Sequence, residues 1–205
     1  MKRSRVLVLA PHPDDEAIGC GGTLRWHVEQ GDEVHVIFLT SGEGGVRRQD
    51  PGETARIREK EARAAAKVLG YRAFEFWREP DGRLRSTGTL RKRLAQKLRG
   101  FRPHLLYVPH PGEMHPDHRA AARLVKQTKT KGTEVRFYEV WTPLQRIDHV
   151  QDISAQIQKK RAAIRAHKSQ CAIMRFDDSA LALARYRGEM HSWPGGRYAE
   201  VFSRA

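Results

Sequence analysis

Val6-Leu7-Val8-Leu9-Ala10 runs into Pro11-His12-Pro13-Asp14-Asp15-Glu16, and Ala17-Ile18-Gly19-Cys20-Gly21-Gly22-Thr23-Leu24 follows. A short continuous apolar run that stops at a turn reads as a fully buried strand, and the segment after it as the start of a helix. In an open parallel α/β sheet the helices cover both faces, so ligands bind in the crevice beyond the carboxyl ends of the strands. His12, Asp14, Asp15 and Glu16 therefore stand where a ligand would sit. Three acids beside one imidazole repel one another without a counter-charge, and a bound cation supplies it.

The rest of the chain repeats the alternation. The patterning predicts a helix from about Ala17 to Gln30, closed by Gly31, then a strand Val34 to Leu39 and a glycine-rich loop Thr40 to Gly52. A helix from about Glu53 to Leu69, a strand Ala73 to Trp77, a loop Arg78 to Thr87, a basic helix Leu90 to Leu98 and a strand His104 to Pro109 come next. Beyond these, Val135 to Trp141, Ile147 to Val150 and Tyr198 to Phe202 read as strands, and Ile153 to His167 and Ser179 to Tyr186 as helices. This order predicts an α/β fold: one domain over residues 1–205 with a Rossmann-like, mostly parallel sheet, helices on both faces, and strand order beginning 3-2-1-4.

A second polar stretch, Pro109-His110-Pro111-Gly112-Glu113-Met114-His115-Pro116-Asp117-His118, also leaves an apolar strand. Pro116 suits the first position of a helix, which puts His115 near the N-cap and His118 in the first turn. With strands one and four as neighbours whose outgoing helices diverge, the two loops face each other across one crevice. His12, Asp14, Asp15, His115 and His118 then meet. Two imidazoles and a carboxylate leave a fourth position open on Zn²⁺, which is what distinguishes a catalytic zinc site from a structural one. The metal lowers the pKa of its water, a neighbouring carboxylate takes the proton, and a further imidazole stabilises an oxyanion. That is the layout of a hydrolase acting on a carbonyl.

Composition narrows the alternatives. At 205 residues, 39% hydrophobic and 30% charged, the chain is long enough for a substantial core. Cys20 and Cys171, far apart in the sequence, point to a reducing compartment. The basic opening Met1-Lys2-Arg3-Ser4-Arg5 precedes too short an apolar run for a secretory signal. No stretch approaches the roughly 18 apolar residues of a membrane span, so a soluble, cytoplasmic protein with no membrane partner is expected. The net charge of +14 is spread over nearly every helix without aromatic interleaving, which reads as a solvated surface rather than a nucleic-acid interface. A basic binding module with a vestigial site is the reading from another class. A homo-oligomer is left open.

Together the two motifs, Pro11-His12-Pro13-Asp14-Asp15-Glu16 and His115-Pro116-Asp117-His118, make the chain resemble the PIG-L and LmbE superfamily of zinc-dependent N-deacetylases. Gly19 to Leu24, Arg58 with Glu61, Pro80-Asp81-Gly82, His167-Lys168-Ser169-Gln170 and Tyr198-Ala199-Glu200 extend the similarity over nearly the whole chain. The resemblance implies a deacetylase acting on an N-acetylglucosaminyl or related N-acetyl amino-sugar compound. It makes His12, Asp15 and His118 the zinc ligands, with Fe²⁺ or Co²⁺ as substitutes, and Asp14 the general base. His115 becomes the protonated imidazole facing the oxyanion, oriented by Asp117, and Arg58 and Asp81 the contacts to sugar hydroxyls. Glu113 stands where relatives often carry Asp, so its longer side chain is expected to alter the shape of the substrate pocket, which His110 also lines. Amide cleavage of sugar-thiol conjugates is the alternative within the superfamily. The excess of arginine suits an anionic substrate.

The other histidines, His27, His35, His104 and His149, read as structural. Gly19-Cys20-Gly21-Gly22 has part of the spacing of a nucleotide loop, but Leu24 stands at its third glycine position, so a dinucleotide is not expected. The rival, structural readings make Glu16 a helix N-terminal charge and Arg58 with Glu61 a surface ion pair.

Overall fold

Side chains alternate across the first strand: Val6, Val8 and Ala10 enter one core layer and Leu7 and Leu9 the other, the period of two of an extended chain. In the computed structural model, which describes residues 3–128, 131–191 and 196–205, this strand is β1 (Arg5–Ala10). It is joined by β2 (Glu33–Phe38), β3 (Ala73–Phe76), β4 (Leu105–Pro109), β5 (Glu134–Tyr138), β6 (His149–Asp152) and β7 (Ala199–Arg204). Among the described residues these seven strands form one sheet in the order β3-β2-β1-β4-β5-β7-β6. β1 to β5 pair in parallel, and β7 runs antiparallel between β5 and β6.

Helices α1 (Asp15–Glu29), α2 (Pro51–Leu69), α5 (Ile157–Ala166) and α7 (Phe176–His191) supply one layer. Ala17, Cys20 and Leu24, Ala62, Ala65 and Leu69, and Ala163 and Ile164 pack there against Val6, Val8, Val36 and Phe38. On the opposite face α3 (Gly88–Phe101) and α4 (Pro116–Gln127) bury Leu90, Leu94, Leu98, Ala121 and Leu124 against Leu7, Leu9, Leu106 and Val108. Each buried leucine or valine contributes roughly 1.5–3 kcal/mol. The short α6 (Lys168–Cys171) leads from α5 toward α7. β1 and β4 are neighbours, and α1 and α4 leave them for opposite faces. The crevice between the two following loops is the topological switch point.

Boundaries move where caps outweigh periodicity. Asp50 caps α2 by accepting from the Glu53 amide at 2.8 Å, so this helix opens at Pro51. The strand expected over Ile147 to Val150 lies at His149–Asp152, and α5 begins only at Ile157, because Ile153 to Gln156 turns after the strand.

The glycines of α1 serve packing. A Cβ at Gly19 would stand 2.3 Å from Tyr138, and one at Gly22 2.7 Å from Ile153. Cys20 is non-helical at φ −141°, and the Gly22 and Thr23 amides donate to the Glu200 carboxylate at 2.9 and 2.7 Å. The Lys160 ammonium, buried, neutralises that carboxylate at 2.6 Å. Removing one partner of a buried pair strands the other's charge, at about 3–5 kcal/mol. Glu200→Ala is therefore expected to lose about that much stability in urea melts, and an unchanged midpoint would show that the buried pair and the amide contacts of Glu200 contribute nothing to stability.

Candidate active site

The carboxyl ends of β1 and β4 carry the site. Leaving β1, the chain turns at Asp14, which has φ 128° and is buried. A positive φ on a non-glycine residue is strained and marks a position fixed by its surroundings. The turn brings the His12 amide onto Asp15 Oδ2 at 2.8 Å. Leaving β4, His115 caps α4 and Pro116 opens it, so His118 projects from the first turn toward β1. The His118 Nε2 atom lies 3.2 Å from Asp15 Oδ2 and 3.4 Å from His12 Nδ1, and His12 Nδ1 lies 3.1 Å from Asp15 Oδ2.

These three atoms form a triangle. A tetrahedral ion with bonds of about 2.0–2.1 Å has ligands about 3.3–3.4 Å apart, close to the observed sides. Electrostatics agrees with a cation at this place. Burial works against imidazolium at both histidines, yet the carboxylates overcome it: His12 is raised well above the usual imidazole value by Asp117, Asp15 and Asp81, and His118 to about 9 by Asp15 and Glu113. Asp15, despite burial, is held well below the usual carboxylate range by His118 and His12. Such a cluster demands positive charge at its centre, from protons or from a metal ion. The residues fit a divalent transition metal with an open coordination position. A ring nitrogen of His115 also lies within 4.8 Å of those of His12 and His118, and one atom each of His12, Asp81 and Asp117 forms a second such group.

The surrounding groups hold these side chains in orientation. His12 Nε2 faces Asp81 Oδ1 at 3.0 Å and Asp117 Oδ2 at 3.4 Å. His118 Nδ1 faces Glu113 Oε2 at 3.5 Å. Partners of this kind fix the ring and raise its basicity as a ligand. Asp14 points its Oδ2 at Arg58 Nη2, 3.0 Å away. Burial pushes Asp14 up to about 7 although Arg58 pulls it down, which places it in the range useful to a general base. Arg58 also donates to the Pro13 and Gly42 carbonyls at 2.7 and 3.1 Å, and at Gly42 (φ +64°) a Cβ would meet its guanidinium at 2.3 Å.

Several expected contacts are replaced by others. The Asp117 carboxylate does not orient His115; it accepts from the Gly82 and Leu84 amides at 2.7 and 3.1 Å, and only the Asp117 amide reaches His115, donating to Nδ1 at 3.2 Å. Burial, His12 and His118 lower the pKa of His115 against the opposing pull of Asp15 and Asp117, and its Nδ1 accepts from the Asp117 amide. Asp81 spends Oδ1 on His12 and Oδ2 on the Gly44 amide at 2.8 Å. Glu113, buried, takes no substrate position, since Oε1 accepts from the Val140 and Trp141 amides at 2.7 and 3.1 Å. His110 lies outside the cleft, with Nε2 on the Thr142 carbonyl at 2.7 Å and Nδ1 accepting from Gly112. Arg58 and Glu61 are not a pair: Glu61 accepts from the Ser169 amide and hydroxyl at 2.8 and 2.7 Å. Glu16 lies beneath Asp14, buried and raised to about 8 chiefly by burial and by Asp14.

The cleft measures about 290 Å³ and is lined by His12, Asp14, Asp15, Arg58, Asp81 and His115. Gly44, Gly45 and Gly82 line it as well, as do Ile18, Trp141, Gln170 and Phe176. No site reading of the sequence had singled these four out. Residues 7–129, which contain both strand-end loops, match the PIG-L family, described as GlcNAc-PI de-N-acetylase. The chain belongs to the PIG-L family. Within it, the diacetylchitobiose deacetylase of Thermococcus kodakarensis is 30% identical over 96% of this chain and 81% of its own length. The solved N,N'-diacetylchitobiose deacetylase of Pyrococcus horikoshii superposes with a TM-score of 0.85 at 27% identity, covering 98% of this chain and 84% of that one. The 4-carboxy-2-hydroxymuconate hydratase of Pseudomonas putida, at 24% identity and TM-score 0.87 over 98% and 96% of the two chains, shares the fold. Among the described residues of this PIG-L chain, no helix is long and apolar enough to cross a membrane.

Proposed function

We propose that this PIG-L chain is a metal-dependent N-deacetylase of N-acetylglucosaminyl compounds, acting as one domain in the cytoplasm. The carrying observation is the buried triangle of His12, Asp15 and His118 beside the carboxylate of Asp14, whose backbone is held at positive φ, on one wall of a sugar-sized cleft. Zinc is the proposed ion, held by those three side chains; Fe²⁺ and Co²⁺ suit the same donors. When bound, such an ion acidifies water and polarises a carbonyl.

The chain's own groups do the rest. Asp14 accepts a proton from the water that attacks the acetamide carbon and delivers it to the nitrogen as the C–N bond breaks, so acetate and a free amine leave. Arg58 keeps Asp14 pointed into the cleft. His115 donates from Nε2 to the carbonyl oxygen as negative charge develops, its ring fixed by the Asp117 amide at Nδ1.

Release of free amine and acetate from N-acetylglucosaminides by the metal-loaded protein tests the reading; metal-loaded protein that releases neither from any of them overturns it. His115→Ala is expected to lower kcat by about 10²–10³ with metal content unchanged. A kcat within about twofold of the parent would place the oxyanion elsewhere.

A further inference from the structure

The catalytic cleft adjoins a second cavity. A groove of about 280 Å³ lies against it, and Ile18, Trp141 and Phe176 line both. Alone, each space falls just under the about 300–1,000 Å³ of ligand pockets; joined, they fall within it. Most of the groove's other lining is apolar, Met174, Leu183 and Ala184 among it, with Glu139, Lys160, Ser179 and Glu200 the polar members. Trp141 stands edge-on to Phe176, ring centroids 5.5 Å apart at 85°, and Trp141 and Met174 remain 39% and 44% exposed, apolar surface a ligand would cover.

Charge in the groove is already matched. Glu139 is tied to Arg187 at 2.7 Å and Lys160 to Glu200 at 2.6 Å. In the cleft itself, the Arg58 guanidinium is committed to Asp14. Among the described residues lining either space, no Lys or Arg is left without an acidic partner. An anionic substituent thus meets no unpaired lysine or arginine among the described residues lining either space.

We propose that this groove seats an uncharged alkyl or aryl substituent carried by the amino sugar, so that the substrate is an N-acetylglucosaminide with an apolar aglycone. The proposal rests on the deacetylase reading above. The two spaces share Ile18, Trp141 and Phe176, so a sugar ring in the cleft would place its substituent beside the groove's apolar wall.

The test compares kcat/KM of the metal-loaded enzyme for methyl, hexyl, phenyl and carboxymethyl N-acetylglucosaminides. Each buried methylene raises affinity about fourfold, so the hexyl compound is expected at least about tenfold above the methyl one, with carboxymethyl no better than methyl. Leu183→Trp, which fills the groove, brings the hexyl-to-methyl ratio to about one. A parent ratio near one, a preference for carboxymethyl, or a gain from longer N-acyl chains instead of longer glycosides overturns the proposal while leaving the deacetylase reading intact. Calorimetric binding of hexyl and methyl glucosaminide, the product amines, reads the groove even if turnover fails. At least about tenfold tighter hexyl binding, lost in Leu183→Trp, supports the proposal, and equal binding overturns it.

Discussion

Asp14→Asn is expected to lower turnover by about two to four powers of ten, what a positioned general base supplies, while the bound metal stays in place. The amide keeps the shape of the carboxyl group and a carbonyl oxygen for Arg58 Nη2, 3.0 Å from the present Oδ2. It accepts no proton at nitrogen. The three atoms of the metal triangle belong to other residues, so metal content by elemental analysis should match the parent. A variant that comes without metal would mean that Asp14 is itself a ligand; one with normal turnover would mean that the proton goes elsewhere.

The second large effect is at His118. Its side chain is fully buried, and Nε2 faces both His12 and Asp15. His118→Ala removes one corner of the triangle and leaves Asp15 facing a cavity, so metal and turnover are expected to vanish together. Glu113→Ala makes the contrast: it leaves the three corner atoms in place and removes the group behind His118 Nδ1, 3.5 Å away, together with the acceptor of the Val140 and Trp141 amides, and loss of such an outer partner costs about 10–100-fold in metal affinity. Metal titration of the two variants should therefore separate them, His118→Ala weakening binding far beyond Glu113→Ala. Equal weakening would argue against His118 as a ligand.

The strand order 3-2-1-4 and the meeting of His12, Asp14, Asp15, His115 and His118 at one switch point were legible because two polar loops each follow an apolar strand. What was not legible is where each side chain turns once there. Asp81, Asp117 and Glu113 look like free acids in a sequence, but the fold supplies backbone amides and imidazole nitrogens that claim them. His110 follows β4 like the others, yet the Thr142 carbonyl draws its ring away from the cleft. Trp141 and Phe176 were not readable as site residues, since they reach the cleft through the loop after β5 and the start of α7. No local pattern marks that convergence. Gly19 and Gly22, suggestive of phosphate binding, are explained by Tyr138 and Ile153 pressing on α1.

The most direct measurement is the metal content of the purified protein taken together with amine release from N-acetylglucosaminides before and after chelation. The account predicts about one transition-metal ion per chain in a tetrahedral-type site, with amine release that stops on chelation and returns when the metal is restored. Amine release that persists after complete metal removal would contradict it.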